Sequence, residues 1–267
     1  MDGIVESGDT TTRVVVVEAI SDEFESHLRE RLAAYCYGGQ QSQEDRDYYS
    51  LERTISEFLT RYKAKHLTTQ VGMAGELIVH LMMPQAHAQL ESAAVYFNKE
   101  ERSIKKGFDL TFHSTRARQI WYGEVKSGEV GPDQSADEKS ASLLKAASAD
   151  ITDKLGTGAQ VSRWDSALID AVLTLESPQA RSAKELLRSD AKAVSSGNDF
   201  KKNVVLAAAV MHDLEHCVIS DAGVIAAVND LKNKQLFAEL CVLVVQQHEV
   251  ETIVAILEGM SANAAAS

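Results

Sequence analysis

Two uninterrupted apolar runs of strand length, Asn203–Met211 (NVVLAAAVM) and residues 240–245 (LCVLVV), constrain this 267-residue chain more than any other feature. Neither alternates polar with apolar residues, so each must be covered on both faces. That is the condition of inner strands in a parallel sheet packed between helices. The rest of the pattern supplies helices for that purpose, and the expectation is an α/β fold with a mixed central sheet flanked by helices.

Residues 12–20 (TRVVVVEAI) are β-branched and apolar and read as a first strand. Ser21 or Asp22 is placed to cap a helix running to about Tyr37, with Gly38-Gly39 stopping it. Residues 38–47 read as a polar loop, 50–65 as a helix, and 69–83 as a helix ended by Pro84. Then the character changes. Residues 93–97, 107–113 and 118–127 read as three short strands separated by polar or basic turns, an antiparallel meander. Helical patterns return at 137–155, 161–175 and 178–194, and a last helix at 248–258 is predicted to stop at Gly259, before a frayed small-residue tail. With no Gly/Ser linker and no internal repeat, the expected organisation is one domain, 1–267.

Composition narrows the function classes. Lys and Arg number 27 against 39 Asp and Glu, a net charge of −12. Such a chain does not hold a polyanion through its bulk field, so contact with nucleic acid requires a local basic patch, a metal ion or a partner. No stretch approaches the roughly 18 apolar residues of a membrane span. The N-terminal MDGIVESGDTTT lacks the basic-then-apolar layout of a signal peptide. The three cysteines, Cys36, Cys217 and Cys241, are scattered, which suits reduced thiols in a cytoplasmic protein.

The chemistry-bearing segments are GFDLTFH (107–113) and WYGEVKSG (121–128). In the first, Phe108, Leu110 and Phe112 alternate with Asp109, Thr111 and His113; in the second, Tyr122, Glu124 and Lys126 share one face. A hairpin turn centred on Arg116-Ala117 sets Asp109 directly opposite Glu124. Cross-strand Cβ atoms then lie roughly 4.5–5.5 Å apart, close enough for two carboxylates to share a divalent cation. Lys126 projects beside them. Two carboxylates with water and phosphate oxygens suit Mg²⁺, and a neighbouring lysine can position or help deprotonate a water and offset charge at phosphorus. On these residues alone, a solvated face of alternating charges with a Glu124–Lys126 ion pair outweighs the catalytic reading, because such patterns are most often that.

The order Glu76 in a helix, then Asp109, then Glu124-x-Lys126 resembles the PD-(D/E)xK nuclease superfamily, whose fold is restriction-endonuclease-like. More narrowly, GMAGELIVHLMM, KKGFDLTF and WYGEVKSG together look like the HamA family, nuclease subunits of the Hachiman antiphage defence system, over about residues 72–128. Phe108 stands where the superfamily has a proline. The resemblance implies Mg²⁺-dependent cleavage of DNA, with Mn²⁺ as a substitute, and a helicase-like ATPase partner of HamB type. It makes Asp109 and Glu124 metal ligands, Glu76 an outer or additional ligand, and Lys126 the water- and phosphate-positioning lysine. The alternative is a catalytically inactive copy of the fold acting as a scaffold or sensor; the joint presence of Asp109, Glu124 and Lys126 argues against it.

Three further signals surround this set. Lys99, Arg102, Lys105 and Lys106, with Arg116 and Arg118, bracket Asp109 in sequence and read as a phosphate-contact patch, to which His113 is added as a substrate contact. His80 lies one helical turn after Glu76. His212-Asp213-Leu214-Glu215-His216 matches a zinc-peptidase spacing, but it follows a strand-like run and no third ligand is indicated, so a polar loop is the expectation.

Overall fold

Seven strands form one mixed sheet in the order β1-β2-β7-β6-β5-β4-β3. They are β1 (Ile4–Gly8), β2 (Thr12–Val17), β3 (Leu90–Ser92), β4 (Leu110–Ser114), β5 (Ile120–Glu129), β6 (Asn203–Met211) and β7 (Leu240–Gln247). The computed structural model describes residues 1–97, 107–156, 161–197, 201–248 and 251–265. The two apolar runs are the centre of the sheet: β6 pairs in parallel with β5 on one side and β7 on the other, and β7 pairs in parallel with β2. Both edges are antiparallel, β1 with β2 and the β3–β4–β5 meander. The α/β architecture is as expected and is consistent with a restriction-endonuclease-like core.

Helices cover both faces. On one lie α1 (Asp22–Tyr37), α3 (Leu51–Lys63), α4 (Leu67–Ala86) and α9 (Glu251–Ala265), packed around Trp121, Val125, Val205, Ala207 and Leu243. On the other lie α5 (Ala136–Leu155), α6 (Val161–Thr174), α7 (Ser177–Ser195) and α8 (Asp221–Asn233), around Tyr122, Leu206, Ala208, Val242 and Val244. The odd residues of β5 thus enter one core and the even residues face the other, as the pleat requires. Ser21 caps α1 by accepting from the Phe24 N–H, and Cys36 and Cys241 are buried free thiols with Cys217 half-buried.

Several elements depart from expectation, each for a local reason. The 12–20 segment is the second strand, because the half-exposed β1 folds back on it as a hairpin. Residues 39–44 form a short helix, α2 (Gly39–Glu44), rather than a loop. Pro84 does not end α4. It removes one N–H near the terminus, and the helix continues while Met82, Met83 and Ala86 are buried. The strand expected at 93–97 is β3, a few residues earlier, because the Tyr96 and Phe97 N–H groups bond instead to the last-turn carbonyls of Tyr35 and Cys36. α8 was not anticipated, and α9 runs through Gly259 because Leu257 and Met260 bury on either side of it. The sequence 212–216 follows β6 as an irregular segment, with no helix to bring its histidines onto one face.

Candidate active site

The β4–β5 register is the one a turn at Arg116-Ala117 dictates: Leu110 opposes Gly123, Thr111 opposes Tyr122, and Phe112 opposes Trp121. Continued one residue, it sets Asp109 against Glu124. The ladder itself ends at Leu110, however, and Asp109 replaces its next rung with a side chain, the Val125 N–H donating to Asp109 Oδ2 at 3.1 Å. Gly123 permits this close pairing, since a Cβ there would lie 2.6 Å from Leu110 Cβ. Phe108, outside the strand, does not join the Leu110 and Phe112 face. It packs on the opposite side against Tyr122 and Trp164, at ring separations of 4.7 and 5.2 Å. That aromatic group anchors the residue before Asp109, where the superfamily uses a proline.

Glu124 is not on a solvated face: its side chain is 1% exposed. Its carboxylate is held by two ammonium groups, Lys126 Nζ at 3.0 Å from Oε1 and Lys154 Nζ on Oε2. Lys154 also reaches Asp109 Oδ1 at 3.3 Å, so one cation bridges the two carboxylates. Lys126, 29% exposed, pairs in addition with Asp150. Burial, then the adjacent Asp109 charge, pushes the Glu124 carboxyl up to about 7, against the opposing pull of Lys154 and Lys126. For Lys126 burial works downward, but the hydrogen bond to Asp150 and the Glu124 charge outweigh it and the ammonium is held above its ordinary range.

Asp109, Glu124 and Lys126 are therefore brought together. Lys154 and Asp150, both from α5, complete the group and were not anticipated. Their i,i+4 spacing on a helix is the one available signal, and it looks like any solvated helical pair. Glu76 lies on α4, which packs on the other face of β5, where a Cβ on Gly75 would overlap Ser127 Oγ. The Glu76 carboxylate is 4.0 Å from His80 Nε2. Arg116 and Arg118 are not part of the cluster. They sit at the turn, roughly 20 Å along the hairpin from Asp109, and Arg118 pairs with Glu185. Bracketing in sequence is separation in space when the bracketed segment is an extended strand. His113, midway, is buried with both ring nitrogens unbonded, and burial lowers its pKa. Lys105 and Lys106, with Lys99 and Arg102, lie outside the described residues.

Two carboxylates already bridged by a cation fit a hard divalent ion, which accepts one or two carboxylates and fills its remaining positions with water and phosphate oxygens. Asp109 and Glu124 would hold it. Among the described residues no group of three His, Cys, Asp or Glu side chains converges in a metal-binding cluster, so this pair is the donor set in hand. His216 and His248 flank Asp213 at 2.8 and 3.8 Å, but on an exposed surface away from this centre.

The HamA family model matches residues 5–255. The chain belongs to the HamA family. The match takes in both sheet edges and reaches the first turn of α9, far more than the segment 72–128 that carries the motifs. No curated protein matches the chain. As a HamA member it is tied to the Hachiman antiphage defence system, and among its described residues no helix is long and apolar enough to cross a membrane.

Proposed function

We propose that this chain is the nuclease effector of its defence system, hydrolysing DNA phosphodiester bonds with Mg²⁺, or Mn²⁺, at Asp109 and Glu124. The observation that carries the reading is a fully buried glutamate set beside an aspartate, with Lys126 and Lys154 paired to the glutamate and Lys154 to the aspartate as well. Replacing such a buried ionic group by apolar residues would commonly stabilise a fold, so its presence calls for a functional reason. A divalent ion held there supplies a water of lowered pKa and neutralises charge developing at phosphorus.

The protein groups divide the remaining work. Asp109 is fixed by the Val125 N–H and Glu124 by burial, so both present oxygens without reorganisation. Lys126, its pKa raised, stays an ammonium: it orients the attacking water and the scissile phosphate by hydrogen bonding, and does not take the proton. Lys154 balances the carboxylate pair, the place that a divalent cation held by Asp109 and Glu124 would take. Glu76 enters only as an additional contributor, since its helix covers the other face of β5.

An acidic nuclease approaches DNA against its own field. We therefore infer a helicase-like ATPase partner of HamB type that holds the DNA and restrains or feeds the nuclease. The test is incubation of plasmid DNA with the purified chain, alone and with such a partner, in Mg²⁺ and in EDTA. Cleavage that requires the metal and vanishes in Glu124→Ala is expected. Cleavage persisting in EDTA, or at full rate in Glu124→Ala, overturns the assignment, and failure to cut under every condition favours the scaffold alternative. Tight DNA binding by the chain alone, read by anisotropy at about 150 mM salt, would remove the argument for the partner.

A further inference from the structure

Three cations from separate elements converge on one cavity of about 660 Å³: Arg13 of β2, Arg116 of the β4–β5 turn and Lys232 of α8. The cavity opens where β2, β5 and β7 begin, beside the end of α4, and Asp109, Glu124 and Lys126 are not in its lining. In a chain with an excess of twelve acidic charges this concentration is unusual. None of the three makes an ion pair among the described residues, whereas Lys126, Lys154, Lys202 and Arg118 all do. The carboxylate in the lining, Glu239, is approached by the Gln119 amide at 3.4 Å.

Two donors in the same lining are buried without any acceptor, Arg13 Nε and Trp121 Nε1. Buried donors are ordinarily bonded, and each exception calls for a cause. The carbonyl ends of α4 and α8 account for cations in this neighbourhood, but they leave both donors unsatisfied. An anion rich in acceptor oxygens seated in the cavity answers the charge of the three cations together. Inorganic phosphate would fill a small part of the space, while the volume falls in the range of small-molecule sites, about 300–1,000 Å³. The amides of Gln85 and Gln119 add both donors and acceptors, the mixture that a base edge or a ribose requires.

We propose that this cavity is a nucleotide-binding site, with phosphate oxygens on Arg13, Arg116 and Lys232 and the nucleoside against Trp121 and the glutamine amides. The site is independent of the nuclease reading. It is also placed to inform it, because Trp121 and Glu124 are three residues apart on one strand, facing opposite cores.

The test is calorimetric titration of the full chain with AMP, GMP, CMP and UMP, with the four matching nucleosides and inorganic phosphate for comparison, alongside tryptophan fluorescence. At least one nucleotide binds, its nucleoside and inorganic phosphate each bind at least about tenfold more weakly, and the fluorescence response disappears in Trp121→Phe. Arg13→Gln weakens binding by about tenfold or more. Should that variant not fold, Lys232→Ala, at an exposed helix end, gives the same readout. Absence of binding by all four nucleotides overturns the proposal, as does affinity unchanged in both variants. Tighter binding of a 5′-phosphorylated oligonucleotide than of the mononucleotide overturns it too, reassigning the cavity to a strand end.

Discussion

The two faces of β5 obey the same pleat and are both covered by a helix, yet they are built on opposite principles. Toward α4 the strand presents Trp121 and Val125, and the helix approaches so closely that Gly75 has no room for a side chain against Ser127 and Ala209. Toward α5 it presents Tyr122, Glu124 and Lys126, and the helix answers with Lys154 and Asp150 as well as Leu144, Ala147 and Ile151. The first face is what a strand needs in order to fold. The second carries a buried carboxyl that burial itself opposes, a group that is weak evidence for stability and that the proposed chemistry would account for. Coverage by a helix therefore does not distinguish an apolar core face from a charge-bearing one; the polarity of what the helix returns does.

That contrast can be broken most directly at Lys126. Lys126→Ala should reduce metal-dependent DNA cleavage by about 10²–10³-fold, with circular dichroism and thermal midpoint nearly unchanged; a wild-type rate would make the polar face merely structural. The opposite outcome is expected across the strand, where Gly75→Val inserts atoms into a filled contact, a Cβ there already lying 2.9 Å from Ala209 Cβ. It should cost about 3 kcal/mol in denaturant unfolding, and a smaller loss than about 1 kcal/mol would show that α4 can withdraw.

Glu124→Gln sharpens the comparison through pH. A carboxyl that titrates near 7 folded and near 4.5 unfolded binds its proton more tightly in the native state. Its favourable contribution is complete below 4.5 and is lost as pH rises through about 7. In EDTA the variant should thus match the wild type at pH 4.5 and exceed it by roughly 2 kcal/mol at pH 8, measured by thermal or urea unfolding. Added Mg²⁺ should stabilise the wild type and not the variant. The smallest effect is expected at Lys154. Lys154→Ala removes the cation that bridges the carboxylates, so Mn²⁺ affinity measured without DNA should rise about tenfold or less; unchanged affinity would mean that Lys154 does not compete for the site.

Much of this arrangement was legible because the signals were periodic. Asn203–Met211 is a strand at the bounds its apolar run sets, and one turn position fixes the whole β4–β5 register. What escaped was set by tertiary contact. Two members of the cluster come from α5, some thirty residues on: Lys154, which pairs with Glu124, and Asp150, which pairs with Lys126, and neither carries a mark separating it from a solvated pair. The short β1 depends on pairing with β2, and residues 93–97 lose their strand to the end of α1. Phe108 shows the same limit from the other side: alternation put it with Leu110, but the chain has not yet entered the sheet there, and the aromatic pocket of Tyr122 and Trp164 takes it.

The Asp109 side chain that completes the ladder at Val125 has a practical consequence. A main-chain proton sits directly on an oxygen of the residue assigned to the metal, so the nitrogen resonance of Val125 is a built-in probe of what that oxygen is doing. Loading the centre should shift this one amide far more than its neighbours along the strand. Asp109→Asn should preserve its slow exchange with solvent, and Asp109→Ala should release it.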